Sequence, residues 1–161
     1  MRVHRNPAIS ELLRTVEQVG DADLYGRGGF SLADALGEQG FETLGFGGSR
    51  IVVGLDADKV AKIDHFLSGS ANYAEADLYR CNRDITDRLA PVFGLFLGGR
   101  VLVMARASQT FDSVPKKYVK ELRAAMREVQ GLPYASDRED PKYEQNYGLV
   151  KGVVVCIDYA S

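Results

Sequence analysis

Two features of this chain have residue types and a spacing that could do chemistry: a cluster of glycines and, shortly after it, a lysine on a β-branched run. Gly45, Gly47 and Gly48 fall inside Phe41 to Ile63, FETLGFGGSRIVVGLDADKVAKI, and Lys62 stands near the end of that stretch. Glycine lets backbone amides approach a ligand with no Cβ in the way, and bare N–H groups suit phosphate oxygens. A lysine on the returning strand can reach the same phosphates as a point charge. The same residues would also serve an ordinary hairpin turn, so the stretch alone leaves both uses open.

The other reactive side chains are few. Cys81 and Cys156 sit in apolar or mixed surroundings without metal-ligand spacing, which predicts small core hydrophobes in a reduced, cytoplasmic protein. His4 and His65 are too isolated for a zinc site and are expected at the surface. With 161 residues, 45% hydrophobic and 26% charged, the chain has the composition of a globular protein with a sizeable core. A formal net charge of −2 gives no reason to expect a nucleic acid or other polyanion as partner. No apolar run approaches the length of a membrane span, and the amino-terminal residues lack a secretory apolar region.

Which elements would position the glycines and Lys62 follows from periodicity. Ile9, Leu12, Leu13, Val16 and Val19 recur at helical spacing from Pro7, and Gly20 ends the run. Asp21 to Phe30 has the composition of a loop, and Ser31 is expected to cap a short helix that ends near Gly37. This amino-terminal segment could brace a sheet or offer a partner surface. The glycine-rich stretch predicts a hairpin turning at Asp56, Ala57 and Asp58. From Ala71 a partly apolar helix bearing Glu75 and extending to Ile85 is expected, then a β-hairpin across Gly98 and Gly99. A further helix from Pro115 through Val129, capped by Asp112 or Ser113, precedes a charged loop and a last hairpin turning at Lys151 and Gly152.

The sequence GFGGSRIV followed by VAKI resembles the glycine-rich loop and strand lysine of protein kinases and the wider kinase-like family, which includes aminoglycoside phosphotransferases and small phage-encoded kinase-like proteins. Gly45 and Gly47 match the first two glycines of the family motif and Val52 its valine, while Arg50 stands in place of the third glycine. The order strand, glycine loop, strand, strand, helix, strand, strand is that of the family's amino-terminal lobe. The resemblance implies an α+β fold with a kinase-like sheet lobe over residues 41–107 and an abbreviated helical lobe over 108–161, preceded by a helical extension over 1–40.

It also implies roles residue by residue. Gly45, Gly47, Gly48 and Lys62 would hold the phosphates of ATP, and Glu75 would pair with Lys62 and aim it. Met104 would fall at the gatekeeper position, with Ala105, Arg106 and Ala107 as the hinge beside the adenine. Asn146 and Asp158 would bind magnesium, which prefers oxygen ligands. Asp140 would be the catalytic base, with Asp137 a weaker candidate. Asp140 lies six positions before Asn146 where the family has five, and no histidine precedes it in the usual arrangement.

The expectation is therefore a phosphotransferase moving the γ-phosphoryl group of Mg-ATP to a hydroxyl, with nucleotide as one partner and a host protein as candidate substrate or target. A pseudokinase that binds nucleotide or a host protein without catalysis is the alternative. An unrelated α+β domain is a third reading, and it expects Lys62 and Asp158 far apart.

Overall fold

The computed structural model describes residues 6–19, 28–47, 49–64, 69–111, 114–133 and 143–158, with the backbone alone at 28–31. The chain is α+β, and its larger sheet is five-stranded and antiparallel. It divides into two units: Met1–Asn72 with Phe93–Met104, and Tyr73–Val92 with Ala105–Ser161.

The first unit begins with helix α1 (Pro7–Val19), where the predicted periodicity lies. Asn6 caps it, its side-chain oxygen accepting the Ala8 N–H at 2.9 Å, and Pro7 takes the first helical position, where a missing N–H costs nothing. Helix α2 (Gly28–Glu38) corrects the sequence expectation, because Gly28 to Phe30 are helical and Ser31 lies inside the helix and does not cap it. Leu32 and Leu36 are fully buried, so packing overrides the poor helix propensity of the two leading glycines.

Five strands follow: β1 (Thr43–Phe46), β2 (Arg50–Gly54), β3 (Lys59–Asp64), β4 (Val92–Phe96) and β5 (Val101–Ala105). Their order in the sheet is β1-β2-β3-β5-β4. The β2–β3 turn is locked by Asp56, whose carboxylate accepts the Asp58 N–H at 2.8 Å, the Lys59 ammonium at 3.0 Å and the Asn6 amide at 3.1 Å. Burial alone would raise the Asp56 pKa, but the Asp58 amide and the Lys59 ammonium outweigh it and hold the carboxyl below its ordinary range.

Side chains alternate across a strand, so the sheet has two distinct faces. One carries Ile51, Val53, Ala61, Ile63, Val101 and Val103, which form a single core with Ile9, Leu12 and Val16 of α1 and Leu32 and Leu36 of α2. The amino-terminal segment thus braces the sheet. The opposite face carries the intervening residues of the central strands, Lys62 and Met104 among them.

Helix α3 (Ser70–Asn82) ends earlier than expected. Ile85, expected on its apolar face, lies beyond the end and is 64% exposed. Asn82 stops the helix: its carbonyl takes the turn amides of Ile85 and Thr86, while its side chain donates to Leu78 O at 2.9 Å and Pro133 O at 3.2 Å.

In the second unit a short 3-10 turn at Lys116–Tyr118 leads into helix α4 (Val119–Gln130), which buries Leu122, Ala125 and Val129. The turn's cap is Pro115, and no side chain caps it; the expected caps Asp112 and Ser113 lie outside the described residues. A three-stranded sheet, β6-β7-β8, is built from β6 (Gln109–Thr110), β7 (Tyr147–Val150) and β8 (Val153–Cys156). The β7–β8 turn is the predicted one, with Lys151 and Gly152 at φ 51° and 80°. Cys156 is buried there, whereas Cys81 is exposed, contrary to the expectation that both are core residues.

Candidate functional site

The first unit gathers several predicted residues in one row. Gly45 of β1 pairs with Val52 of β2, and Val52 pairs with Lys62 of β3. Residues directly opposite one another share a face, so Gly45, Val52 and Lys62 stand side by side across three strands, spanning about 10 Å. Their face is the one turned away from α1 and α2. Met104, one residue on from the core position Val103, belongs to the same face of β5 and is 1% exposed.

The glycines lead into a tight reversal in which the Gly47 N–H donates to Arg50 O at 2.9 Å. A Cβ at Gly45 would meet only Val52, at 3.9 Å, and one at Gly47 would meet Arg50 O at 3.7 Å, both ordinary contacts. Neither residue has positive φ. Packing and backbone conformation therefore do not require glycine at either position, in contrast to Gly69, where φ is 58° and a Cβ would lie 2.7 Å from the Gly99 carbonyl carbon. Gly48 lies outside the described residues.

Lys62 is 4% exposed, in a strand whose other positions are mostly buried apolar residues or Asp64. Its backbone is pinned by a residue that the spacing did not single out. The Asn72 side-chain amide donates to Lys62 O at 3.3 Å, Gly99 O at 2.9 Å and Arg100 O at 3.0 Å, so the start of α3 is tied at once to β3 and to the β4–β5 turn. Only an asparagine or glutamine at the start of a helix could have hinted at this. Glu75, three residues further along α3 and on the same helical face as Asn72, belongs to the second unit and is fully buried.

The second unit brings together Asn146 and Asp158. The Asn146 carbonyl accepts the Ile157 N–H at 2.8 Å and the Asp158 N–H at 3.3 Å, which holds the residue after β8 against the residue before β7. Both are partly exposed. As donors they offer one carboxamide oxygen and one carboxylate, a set that fits magnesium, which binds through one or two carboxylates together with waters and phosphate oxygens. Among the described residues no group of three or more His, Cys, Asp or Glu side chains gathers into a metal site.

Tyr147 and Cys156, a cross-strand pair close to these two residues in sequence, are buried, and the Cys156 thiol donates to Asp158 O at 3.4 Å. Burial, and after it the neighbouring Cys156, holds the Tyr147 hydroxyl well above the ordinary tyrosine range.

Met104 and Ala105 mark the division between the two units, and the partly exposed Arg106 follows it at the predicted hinge. Asp140 and Asp137 lie outside the described residues, as do His4 and His65. Lys62 belongs to the first unit and Asp158 to the second. No helix among the described residues is long and apolar enough to cross a membrane. Neither comparison with models of known protein families nor comparison with curated proteins finds a match to this chain.

Proposed function

We propose that this chain is a phosphotransferase of the protein-kinase-like type, acting in the cytoplasm on Mg-ATP and a hydroxyl acceptor. The observation that carries this is the cross-strand row of Gly45, Val52 and Lys62, where the fold itself does not require glycine at position 45 or at Gly47 in the adjoining turn. A bare backbone and an ammonium on one sheet face suit a triphosphate. The order along the chain of β1, β2, β3, α3, β4 and β5 is the order of the family's sheet lobe, and the joining of Asn146 to Asp158 supports the same reading from the second unit.

In this reading Lys62 holds phosphate oxygens, and Glu75 takes the orienting role that the family resemblance implies. Asn146 and Asp158 supply oxygen ligands to magnesium, which when bound neutralises phosphate charge. The bond from the γ-phosphorus to the β–γ bridging oxygen breaks and a bond to the acceptor oxygen forms. The acceptor's proton passes to Asp140, and ADP leaves. Positioning and charge neutralisation supply most of such catalysis, so a small scaffold can suffice.

A second reading, a binding module of the same fold without catalysis, is favoured by the lack of a histidine before Asp140 in the run Arg138, Glu139, Asp140. Calorimetric titration with Mg-ATP, followed by a search for transfer of labelled γ-phosphate to candidate acceptors and to the protein itself, separates the two. Binding with transfer supports the enzyme, and binding without transfer supports the module. No binding removes both nucleotide readings.

A further inference from the structure

Asp158 lies two residues beyond the end of β8, and β8 is held in part by a pair of side chains far from it in sequence. On its inner side β8 pairs with β7, in the register Leu149 to Val154 and Tyr147 to Cys156. On its outer side a parallel bridge joins Cys156 to Leu89: the Cys156 N–H donates to Arg88 O at 2.7 Å and the Ala90 N–H to Cys156 O at 2.9 Å. Residues two apart in a strand point their N–H and C=O groups the same way, so Val154 faces that outer side too. No strand pairs with Val154 on that side among the described residues, and an unmet backbone pair there would be costly.

Two side chains substitute for the missing strand. The Val154 N–H donates to Glu121 Oε1 at 3.3 Å, and Val154 O accepts from Arg88 Nη1 at 3.1 Å. Arg88 Nη1 also donates to Glu121 Oε1 at 3.1 Å, closing a three-membered ring of contacts. The guanidinium is braced from behind by Glu128, 3.5 Å from Nε, whose other oxygen takes the Thr86 hydroxyl. Thr86 in turn accepts the Arg88 N–H at 3.0 Å. Arg88 therefore grips β8 twice, by its backbone at Cys156 and by its side chain at Val154. The second grip lies four residues before Asp158.

We propose that Arg88 and Glu121 are positioning residues for the Asn146–Asp158 site, setting the path of β8 so that the Asp158 carboxylate is delivered beside Asn146. This rests on the metal-binding role proposed above for that pair. An ordinary surface ion pair would contribute little, and the 21% and 36% side-chain exposure of Arg88 and Glu121 would screen it. Here the two charges instead satisfy a strand's backbone, so their loss moves the strand. Partners that orient a metal ligand change metal affinity by about ten- to a hundredfold when removed.

The test uses the full chain with Mn2+ and ADP, free Mn2+ being followed by electron paramagnetic resonance. Thermal unfolding of each variant sets a temperature at which it is folded. Glu121→Ala is expected to bind Mn2+ about tenfold more weakly than the wild type, while Glu121→Gln, which keeps an acceptor for the Val154 N–H, restores most of that affinity. Should Glu121→Ala fail to fold, Arg88→Lys decides, because an ammonium cannot span Val154 O and Glu121 as the guanidinium does; it is expected to show a several-fold loss. Wild-type Mn2+ affinity in a folded Glu121→Ala or Arg88→Lys variant would overturn the positioning role alone. If the wild type takes up no Mn2+, or Asp158→Ala takes up as much, the metal-site reading itself fails and the positioning role falls with it.

Discussion

The Asp158 amide donates to the Asn146 carbonyl at 3.3 Å, joining two residues twelve positions apart through the β7–β8 hairpin. That bond uses only backbone atoms, so changing the Asp158 side chain leaves it intact. Asp158→Ala is accordingly expected to abolish magnesium-dependent nucleotide binding while changing stability by less than about 1 kcal/mol. Calorimetry with Mg-ATP, beside urea denaturation, checks both halves. Unchanged binding removes Asp158 from the site.

Lys62 addresses phosphates in the proposed site, so its loss should be felt by ATP and hardly by adenosine. A charge-assisted contact contributes about 1.5–3 kcal/mol, and Lys62→Ala should weaken ATP roughly ten- to a hundredfold. Parallel titrations with ATP and adenosine measure the difference. Equal losses would point to damage of the buried sheet face on which Lys62 sits.

The glycines separate ligand space from packing space. Gly45→Ala and Gly47→Ala add a Cβ that meets the protein at 3.9 and 3.7 Å, so stability should stay within about 1 kcal/mol of the wild type, and Mg-ATP should bind about tenfold more weakly. Gly148→Ala should do the reverse, because its Cβ would lie 2.7 Å from Gln109 O and 2.8 Å from the Ala107 Cβ. A destabilisation of about 1–3 kcal/mol is expected there. Alanine variants at 45 and 47 that bind Mg-ATP like the wild type would reduce the turn to a plain hairpin.

Tyr147 predicts a pH dependence. Its hydroxyl ionises near 10.0 in an ordinary setting and well above that when buried in the folded protein. The raised value contributes stability that is fully present below pH 10 and is lost above it, because the unfolded chain then gives up a proton that the native state keeps. The slope due to this one group is about 1.4 kcal/mol per pH unit. Denaturation of the wild type and Tyr147→Phe between pH 9 and 11 isolates it, since the other tyrosines are common to both. Parallel curves would contradict the burial argument.

Where the sequence was legible, local chemistry was sufficient. Helix α1 follows from five apolar residues at helical spacing with Asn6 and Pro7 ahead of them, and three hairpins follow from Asp56, from Gly98 and Gly99, and from Lys151 and Gly152. The start of α2 was not legible because buried Leu32 and Leu36 outweigh the two glycines that begin it. The end of α3 was not legible either: Asn82 stops it partly through Pro133, fifty-one residues away. Of the candidate site, the row from Gly45 to Lys62 was within reach because a hairpin register is local. The amide of Asn72 and the grip of Arg88 and Glu121 on β8 were out of reach, since each joins segments whose meeting no local pattern records.

The core that α1 and α2 share with the sheet has a consequence for how the chain is made. Val101 and Val103, which complete the core around Ile9 and Leu12, are synthesised some ninety residues after them. Residues 73–92, which belong to the other unit, come in between. Contacts so remote in sequence form late and slow folding. The core of the two helices therefore stays incomplete, with Ile51, Val53, Ala61 and Ile63 but not the last strand to cover it, until about residue 105 has been added, and for that interval the growing chain offers chaperones apolar surface that the completed core encloses.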